Sequence, residues 1–284
     1  MAPVLILDDA ARARLLTRFG PEAAAWCDEL PARVARLACR WDLTVEAALS
    51  GNTGRTLRCR TRDGALVVLK LCPDTEITRT EAMALRAWAG CPQVIDVVDA
   101  DVAEGALLLA GIEPGIPLSE RGWRPEEIDD LVPRLHAVPA PPGIPSLTDR
   151  VRQMFALAAP HAGGRVPAEL MEASLAASLA LAADGGNALL HGDLHPANVL
   201  AGADGPVVID PRPCAGDPAF DTVDWVLLPG RDLDDAVAAL PSFDAGRVQA
   251  WARAMAVLAA LGPLRRQGRS AFTDSLLALS ASLT

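Results

Sequence analysis

The stretch Leu189-Leu-His-Gly-Asp-Leu-His-Pro-Ala-Asn-Val-Leu200 gathers polar side chains between short apolar runs. Asp193 and Asn198 lie five positions apart in it, and the run Val207-Val-Ile-Asp210 ends on another carboxylate soon afterwards. The two apolar runs predict a hairpin that brings these side chains together. An amide oxygen and a carboxylate are hard donors that hold Mg²⁺ beside phosphates, while another carboxylate can face an acceptor hydroxyl. These residue types are therefore suited to hold Mg²⁺ beside a phosphate.

A single lysine supports this interpretation. Of the 26 basic residues, Lys70 is the only lysine, and it ends the run Ala65-Leu-Val-Val-Leu-Lys-Leu71 after the turn Asp63-Gly64. This pattern predicts a strand entered from a hairpin turn. A compact ammonium on a buried strand can reach a phosphate as a point charge, where a planar guanidinium would not fit. The alternative is an ordinary lysine whose head group reaches solvent from the end of a strand.

Length and composition exclude several classes of protein. The chain has 284 residues, 51% of them hydrophobic, and a formal charge of -10, so it folds and is not a general nucleic-acid binder. This net negative charge favours a cationic small-molecule partner. No secretory signal and no apolar stretch long enough to span a membrane are seen, so we expect a cytoplasmic protein, and a monomer. The six cysteines form no C-x-x-C pair and predict small core residues.

The pattern of elements predicts an α+β chain. Two or three amphipathic helices are expected over residues 8–49, broken at Gly20-Pro21 and at Pro31. Strands are then predicted over residues 57–60, 66–71, 94–99 and 106–109, with a helix over 80–88. These elements predict an amino-terminal lobe, residues 1–110, built on a mostly antiparallel sheet. Residues 111–284 are predicted to form a mainly helical lobe.

The polar stretch resembles the catalytic loop H-R-D-x-x-x-x-N of protein kinases, with Gly192 in place of the arginine. The chain as a whole resembles the aminoglycoside and hydroxyurea antibiotic phosphotransferases, of the streptomycin 6-phosphotransferase type. Besides that loop, the resemblance is carried by Val67-Val-Leu-Lys-Leu71, Glu81-Ala-Met-Ala-Leu-Arg-Ala-Trp88, Ala106-Leu-Leu-Leu109, Glu113-Pro-Gly115 and Gly216-Asp-Pro-Ala-Phe-Asp221.

This resemblance implies a bilobal protein-kinase-like fold that binds ATP and Mg²⁺ between its lobes. It implies that Lys70 contacts the α and β phosphates, that Glu81 orients Lys70, and that Asp193 is the catalytic base. Asn198 and Asp210 are then the metal ligands. The remaining nucleotide-binding residues implied are Gly51, Gly54 and Glu113.

The chain also departs from the kinase pattern. Ser50-Gly-Asn-Thr-Gly54 has two glycines in place of G-x-G-x-x-G, which leaves its phosphate contacts the least defined part of the nucleotide site. Asp210-Pro-Arg212 replaces Asp-Phe-Gly, so a switch driven by phenylalanine has no support. No long segment between Asp210 and Gly216 offers a platform for a peptide, which favours a small-molecule acceptor.

Other functions fit parts of the sequence. The cluster of His191, Asp193 and His195 is compatible with a metallohydrolase site, although such a site needs further histidines. If His191 is not a metal ligand, it is a structural residue that braces the loop through a hydrogen bond. A nucleotide-binding pseudokinase is disfavoured because the predicted catalytic residues are all present. A kinase of hydroxyurea or of another small hydroxylated metabolite is the nearest alternative to an aminoglycoside kinase.

Acidic side chains after the loop are candidates for binding the acceptor. Asp217, Asp221 and Asp224 are spaced as on one helical face. Asp217 before Pro218 is typical of a helix N-cap, and the resemblance implies that Asp221 is a buried support of the loop. Asp224 is therefore the candidate substrate residue. Trp225 is more typical of a core residue, although its ring could cover a sugar face.

Overall fold

The structure is a computed structural model that describes residues 6–49, 51 and 53–283. It divides into two compact units, Met1–Gly115 with Ala201–Val207, and Ile116–Leu200 with Val208–Thr284. The first unit thus ends at Gly115 rather than at residue 110. It also takes in a short later segment, because the turn at Gly202 lies beside Ile112.

The first unit contains a five-stranded antiparallel sheet with helices before and within it. The strand order is β1-β2-β3-β5-β4, and the antiparallel sheet predicted for this part of the chain is confirmed. The elements are α1 (Asp9–Phe19), α2 (Ala23–Arg40), β1 (Leu43–Leu49), β2 (Arg55–Thr61), β3 (Leu66–Leu71), α3 (Thr75–Ala87), β4 (Val97–Asp101) and β5 (Ala106–Ala110).

Two expectations for the first fifty residues are wrong. The predicted break at Pro31 does not occur, because α2 continues through it to Arg40. Leu30 and Val34, on either side of that proline, are buried against the sheet, and this burial offsets the hydrogen bond that proline cannot donate. Residues 43–49 form strand β1 rather than a helix, paired along β2 with an irregularity between Val45 and Ala47.

The hairpin and helix that carry the predicted lysine and glutamate have clear local causes. Gly64, in the turn between β2 and β3, has a φ of 87°, a conformation that glycine adopts without strain. Helix α3 begins at Thr75, earlier than predicted, because the Asp74 carboxylate accepts hydrogen bonds from the amides of Glu76 and Ile77. Lys70 on β3 and Glu81 on α3 are both buried.

The second unit is mainly helical, as predicted. Its long helix α10 packs against α6, α7 and α11, and Trp251 at its centre is completely buried. From Pro114 onward the elements are β6 (Pro114–Pro117), α4 (Leu118–Arg121), α5 (Pro125–His136), α6 (Leu147–Ala162), α7 (Ala168–Ala183), β7 (Ala188–Leu190), β8 (Val199–Gly202), β9 (Gly205–Val208), β10 (Cys214–Gly216), α8 (Val223–Val226), α9 (Leu233–Ala238), α10 (Ala245–Gln267) and α11 (Ala271–Ala281).

Short strands frame the predicted site. β7 pairs with β10 antiparallel, and β6, β8 and β9 form a three-stranded sheet. The loop of residues 191–198 runs from β7 to β8 and includes a short 3-10 helix, Pro196–Asn198. Within the part of the chain that the structure describes, no helix is long and apolar enough to cross a membrane.

Candidate functional site

A buried carboxylate holds the backbone of the 191–198 loop. Asp221, in the 3-10 helix Pro218–Thr222, accepts hydrogen bonds of 2.8 Å from the amides of His191 and Gly192, and its carboxylate also contacts His136 Nε2 at 2.9 Å. Burial raises the pKa of Asp221, but the bond to His136 and the nearby charges outweigh it, so the pKa lies below its usual value. The loop therefore rests on an ionised carboxylate.

His191 is structural, and its contacts exclude the metallohydrolase. Its Nε2 donates to the carbonyl of Ile209 at 2.9 Å, and its Nδ1 accepts from the amide of Asp193 at 3.3 Å. Both ring nitrogens are thus occupied, and burial lowers the pKa of this imidazole, which stays neutral. Within residues 6–49, 51 and 53–283, no three His, Cys, Asp or Glu side chains are grouped so as to hold a metal ion.

Asp193 is held at both oxygens and still reaches solvent. Its side chain is 40% exposed, with Arg150 Nη2 3.6 Å from Oδ1. Asn198 Nδ2 lies 3.4 Å from Oδ2 and donates a better hydrogen bond, of 2.9 Å, to the backbone carbonyl of Asp193. A carboxylate that is oriented but exposed is suited to accept a proton from a bound hydroxyl.

Asn198 and Asp210 are brought together by the β8–β9 hairpin, as predicted. The amide of Ile209 donates to the carbonyl of Asn198 at 2.9 Å, which places Asp210 one residue beyond the paired position. Asp210 has a φ of 58°, a left-handed conformation that is uncommon outside glycine and concentrates at functional sites. The Asn198 amide nitrogen faces Asp193, so its amide oxygen points away. One amide oxygen and one carboxylate fit Mg²⁺.

Lys70 and Glu81 form a buried ion pair in the first unit. Lys70 Nζ lies 2.6 Å and 2.7 Å from the two oxygens of the Glu81 carboxylate. Both side chains are at least nine-tenths buried. The contact implied by the resemblance is therefore present, and it fixes the ammonium group at the end of β3.

The other predicted nucleotide residues differ in how tightly their surroundings constrain them. A side chain on Gly54 would place its Cβ 2.2 Å from the carbonyl of Leu71, so this position requires glycine. Among the described residues, a Cβ on Gly51 would approach Thr56 Oγ1 at 3.4 Å and the backbone carbonyl of Gly54 at 3.6 Å. Glu113 is exposed, immediately before β6. Ser50 and Asn52 of the same glycine-containing loop lie outside the described residues.

A cavity of about 290 Å³ lies in the second unit against the loop. Asp193, His195 and Asp224 line it together with apolar side chains. Asp224 is exposed to this cavity. The protein atoms that displace water around it, with the nearby charge of Asp193, raise the pKa of Asp224 to about 6. The apolar part of the wall consists of Met154, Leu194, Phe220, Val223, Met255, Leu258 and Ala259.

The acidic series does not share one face. Asp217 caps the 3-10 helix, as predicted, and also binds Arg247 and Trp251. Asp221 lines the cavity but is buried and binds the loop backbone, whereas Asp224 is exposed there. The series diverges because a 3-10 helix and the short helix α8 replace one regular α-helix. Trp225 is completely buried, so it cannot cover a sugar face.

Arg150 and His136 are site residues that sequence reasoning missed. Arg150 on α6 donates to the carbonyl of Gly192 and lies beside Asp193. His136, at the end of α5, binds Asp221. Neither lies in a recognisable motif, and both are far from the loop in sequence. The only local signal was a polar side chain among the buried positions of an amphipathic helix.

Comparisons with known proteins agree with this geometry. Residues 40–272 match the family model described as aminoglycoside/hydroxyurea antibiotic resistance kinase. The chain is 36% identical to streptomycin 6-kinase of Streptomyces glaucescens, over 78% of this chain and 73% of that protein. It is 34% identical to hydroxyurea phosphotransferase of Kitasatospora aureofaciens, over 82% of this chain and 73% of that protein.

A solved structure shows the fold. Choline kinase LicA from Streptococcus pneumoniae superposes with a TM-score of 0.62 at 12% identity, covering 88% of this chain and 96% of that one. The predicted protein-kinase-like fold is thereby confirmed. The family match and the identities with its members show that this chain belongs to the aminoglycoside/hydroxyurea antibiotic resistance kinases and is a small-molecule O-phosphotransferase.

Proposed function

We propose that the chain transfers the γ-phosphoryl group of ATP to a hydroxyl of an aminoglycoside or aminocyclitol antibiotic of the streptomycin type, which inactivates the drug. The observation that carries the proposal is the cavity in which Asp193 and Asp224 stand together. Two carboxylates at one wall favour an acceptor with amino or guanidino groups, because a cation in such a cavity needs a countercharge. The 36% identical streptomycin 6-kinase supports the same acceptor class.

In this mechanism each polar side chain has one task. Asp193 accepts the proton of the acceptor hydroxyl, and Asp224 holds a cationic group of the acceptor in the cavity. Lys70, oriented by Glu81, binds the phosphates of ATP. Catalysis then depends mainly on alignment of the two substrates and on neutralisation of phosphate charge.

Mg²⁺ is the metal that the donor set fits. Asn198 and Asp210 would hold it through an amide oxygen and a carboxylate. When bound, the ion neutralises charge on the phosphates. Gly51, Gly54 and Glu113 remain the proposed nucleotide contacts beyond Lys70, and Gly54 is the one whose geometry excludes any side chain.

Phosphorylation of hydroxyurea is the second candidate. It is favoured by the 34% identity with a hydroxyurea phosphotransferase, which extends over 82% of this chain. Hydroxyurea is small and uncharged, so it would use Asp193 but would gain little from Asp224. The dependence on Asp224 therefore separates the two candidates.

A panel of acceptors in a coupled ADP-release assay tests the proposal. We expect turnover with streptomycin-like acceptors and a strong loss of acceptor affinity in Asp224→Ala, whereas Asp204→Ala, in the exposed turn of the β8–β9 hairpin, serves as the matched control. Turnover of hydroxyurea alone, unchanged by Asp224→Ala, would favour the second candidate. No turnover with any aminoglycoside would reject the antibiotic function.

Chelation tests the metal. Removal of Mg²⁺ by a chelator should stop turnover while the melting temperature of the protein without nucleotide stays unchanged, because the ion would arrive with the substrate and not support the fold. One equivalent of tightly bound zinc in the purified protein would contradict this assignment.

A further inference from the structure

Arg150 lies in an unusual place for a charged side chain. It belongs to the first turns of α6, a helix that Ser146 caps and that is tied to β10 by the bond from the Ala215 amide to the carbonyl of Pro145. Its side chain is only 10% exposed. Burial of a guanidinium is costly unless charge and hydrogen bonds compensate for it. The contacts of Arg150 therefore indicate why the chain keeps a charge there.

Those contacts converge on the loop peptide that carries Asp193. Nε and Nη2 of Arg150 donate to the carbonyl of Gly192 at 3.2 Å and 3.0 Å, and Nη2 lies 3.6 Å from Asp193 Oδ1. Nη1 reaches the neutral amide of Gln153 at 3.3 Å. Asp193 thus provides the carboxylate that faces this guanidinium directly.

The other charged groups near Arg150 also show which carboxylate balances its charge. Burial lowers the pKa of the Arg150 guanidinium, and the nearby charge of Arg212 lowers it further. The carboxylates of Asp193 and Asp221 and the Cys214 thiol act in the opposite direction and raise this pKa. The Asp221 carboxylate is already occupied by two backbone amides and His136. Arg150 therefore has Asp193 as its main countercharge.

The loop itself cannot provide this cation. Gly192 stands where the kinase pattern has arginine. Its φ is 75°, and a Cβ there would lie 2.0 Å from the carbonyl of Arg212, so no side chain fits. A guanidinium from α6 lies against the same peptide instead.

We infer that Arg150 is a positioning residue for phosphoryl transfer, which orients the Asp193 carboxylate. Arg150 acts at Oδ1 and Asn198 at Oδ2, so the carboxylate is held from both sides while it stays open to the acceptor. This inference rests on the proposed function, because it assigns Asp193 the role of base. It predicts that loss of Arg150 damages the chemical step rather than the binding of ATP.

The test compares Arg150→Gln and Arg150→Lys with Arg152→Gln. Arg152 lies two positions further along α6, has a 61% exposed side chain and forms a salt bridge with Asp149, so it is a matched control. In Arg150→Gln, kcat should fall by about 10- to 100-fold with little change in the KM for ATP, because the base is misoriented. Arg150→Lys, which retains the charge but not the forked geometry, should lie between Arg150→Gln and the natural protein.

The split between kcat and KM distinguishes positioning from mere support of the fold. A purely structural role would lower the melting temperature of Arg150→Gln and would damage kcat and the KM for ATP together, whereas a positioning role lowers kcat and leaves the KM for ATP nearly unchanged. Equal kcat in Arg150→Gln, Arg150→Lys and Arg152→Gln, or a KM for ATP that worsens as much as kcat does, would overturn the inference.

A readout without an acceptor separates this inference from the proposed function. Amide hydrogen exchange of residues 191–198 should be faster in Arg150→Gln than in Arg152→Gln. If the natural protein phosphorylates no acceptor, the proposed function fails, and the exchange comparison still decides whether Arg150 holds the loop. If acceptors are phosphorylated and both variants match the natural protein, the inference about Arg150 alone fails.

Discussion

The two units hold their charged functional groups in opposite ways. In the first unit, Lys70 is buried and gripped by both oxygens of Glu81 at 2.6 Å and 2.7 Å. In the second unit, the side chain of Asp193 is 40% exposed, and its nearest charged partner is 3.6 Å away. The firm hydrogen bonds there reach the loop backbone, through Asp221.

The difference fits the roles proposed for the two groups. A cation that binds phosphate performs the same task throughout the reaction, so a strong fixed partner helps it. A base must exchange its contact with the incoming hydroxyl, so a strong partner on its carboxylate would compete with the substrate. The second unit therefore fixes the peptide firmly and the carboxylate only lightly.

The largest effect is expected at Asp193, the lightly held carboxylate. Asp193→Asn removes the proposed base without changing the shape of the side chain, so kcat should fall by about 100- to 10,000-fold. The affinity for ATP, measured by equilibrium binding, should change little because the base acts on the acceptor. Near-normal turnover of this variant would show that Asp193 is not the base.

Lys70, the firmly held group, should not tolerate even a substitution that keeps its positive charge. Lys70→Arg places a larger, planar group in a site that is 6% exposed at Lys70 and 2% at Glu81. Misplacement by about 1 Å can cost about 100-fold in rate, so kcat/KM for ATP should fall by that order. Steady-state kinetics with varied ATP measure this effect. Full activity in Lys70→Arg would mean that the lysine is an ordinary residue at a strand end.

A smaller effect is expected where Asp224 faces the cavity. Asp224→Ala should raise the KM for a cationic acceptor by about tenfold, which corresponds to 1.4 kcal/mol of lost binding. The KM for ATP should stay within twofold (roughly 0.4 kcal/mol) of its natural value. Equal damage to both constants would make Asp224 a structural residue.

The smallest effect concerns stability. The pKa of Asp224 is raised to about 6 from the ordinary value of 3.8, so its ionised form disfavours the folded state. The cost is absent below pH 3.8, grows up to pH 6 and is complete above pH 6. The melting temperature of Asp224→Asn should therefore be higher than that of the natural protein at pH 8, and the difference should be smaller at pH 5. We expect a difference of about 2 °C at pH 8, because solvent in the cavity screens the charge of Asp224. A lower melting temperature at pH 8 would contradict this.

The parts of the site that lie close in sequence were predictable. The spacing of Asp193, Asn198 and Asp210 determines how a hairpin presents them, and the run that ends at Lys70 has a pattern typical of a strand. Asp217 could be assigned as a cap because its capping bond comes from the amide of Ala219, two residues further along the chain. In each case a short-range rule decides the structure.

Long-range contacts were not predictable in the same way. Arg150 acts on a residue 42 positions later in the chain, and nothing in its own helix indicates that partner. The error at Pro31 has a similar cause, since the burial of α2 against the sheet overrides the local preference of proline. Asp217, Asp221 and Asp224 were placed on one face because periodicity cannot reveal a change from a 3-10 helix to an α-helix.

Helix α2 has a practical consequence for anyone who shortens the chain. The family match begins at residue 40, so it leaves out α1 and nearly all of α2. Yet Leu30, Val34 and Leu37 belong to the same buried cluster as the sheet residues Leu57 and Leu69. A fragment cut at the family boundary would expose that apolar sheet surface to water and would be prone to aggregate during expression. Fragments intended for solution studies should therefore retain both leading helices.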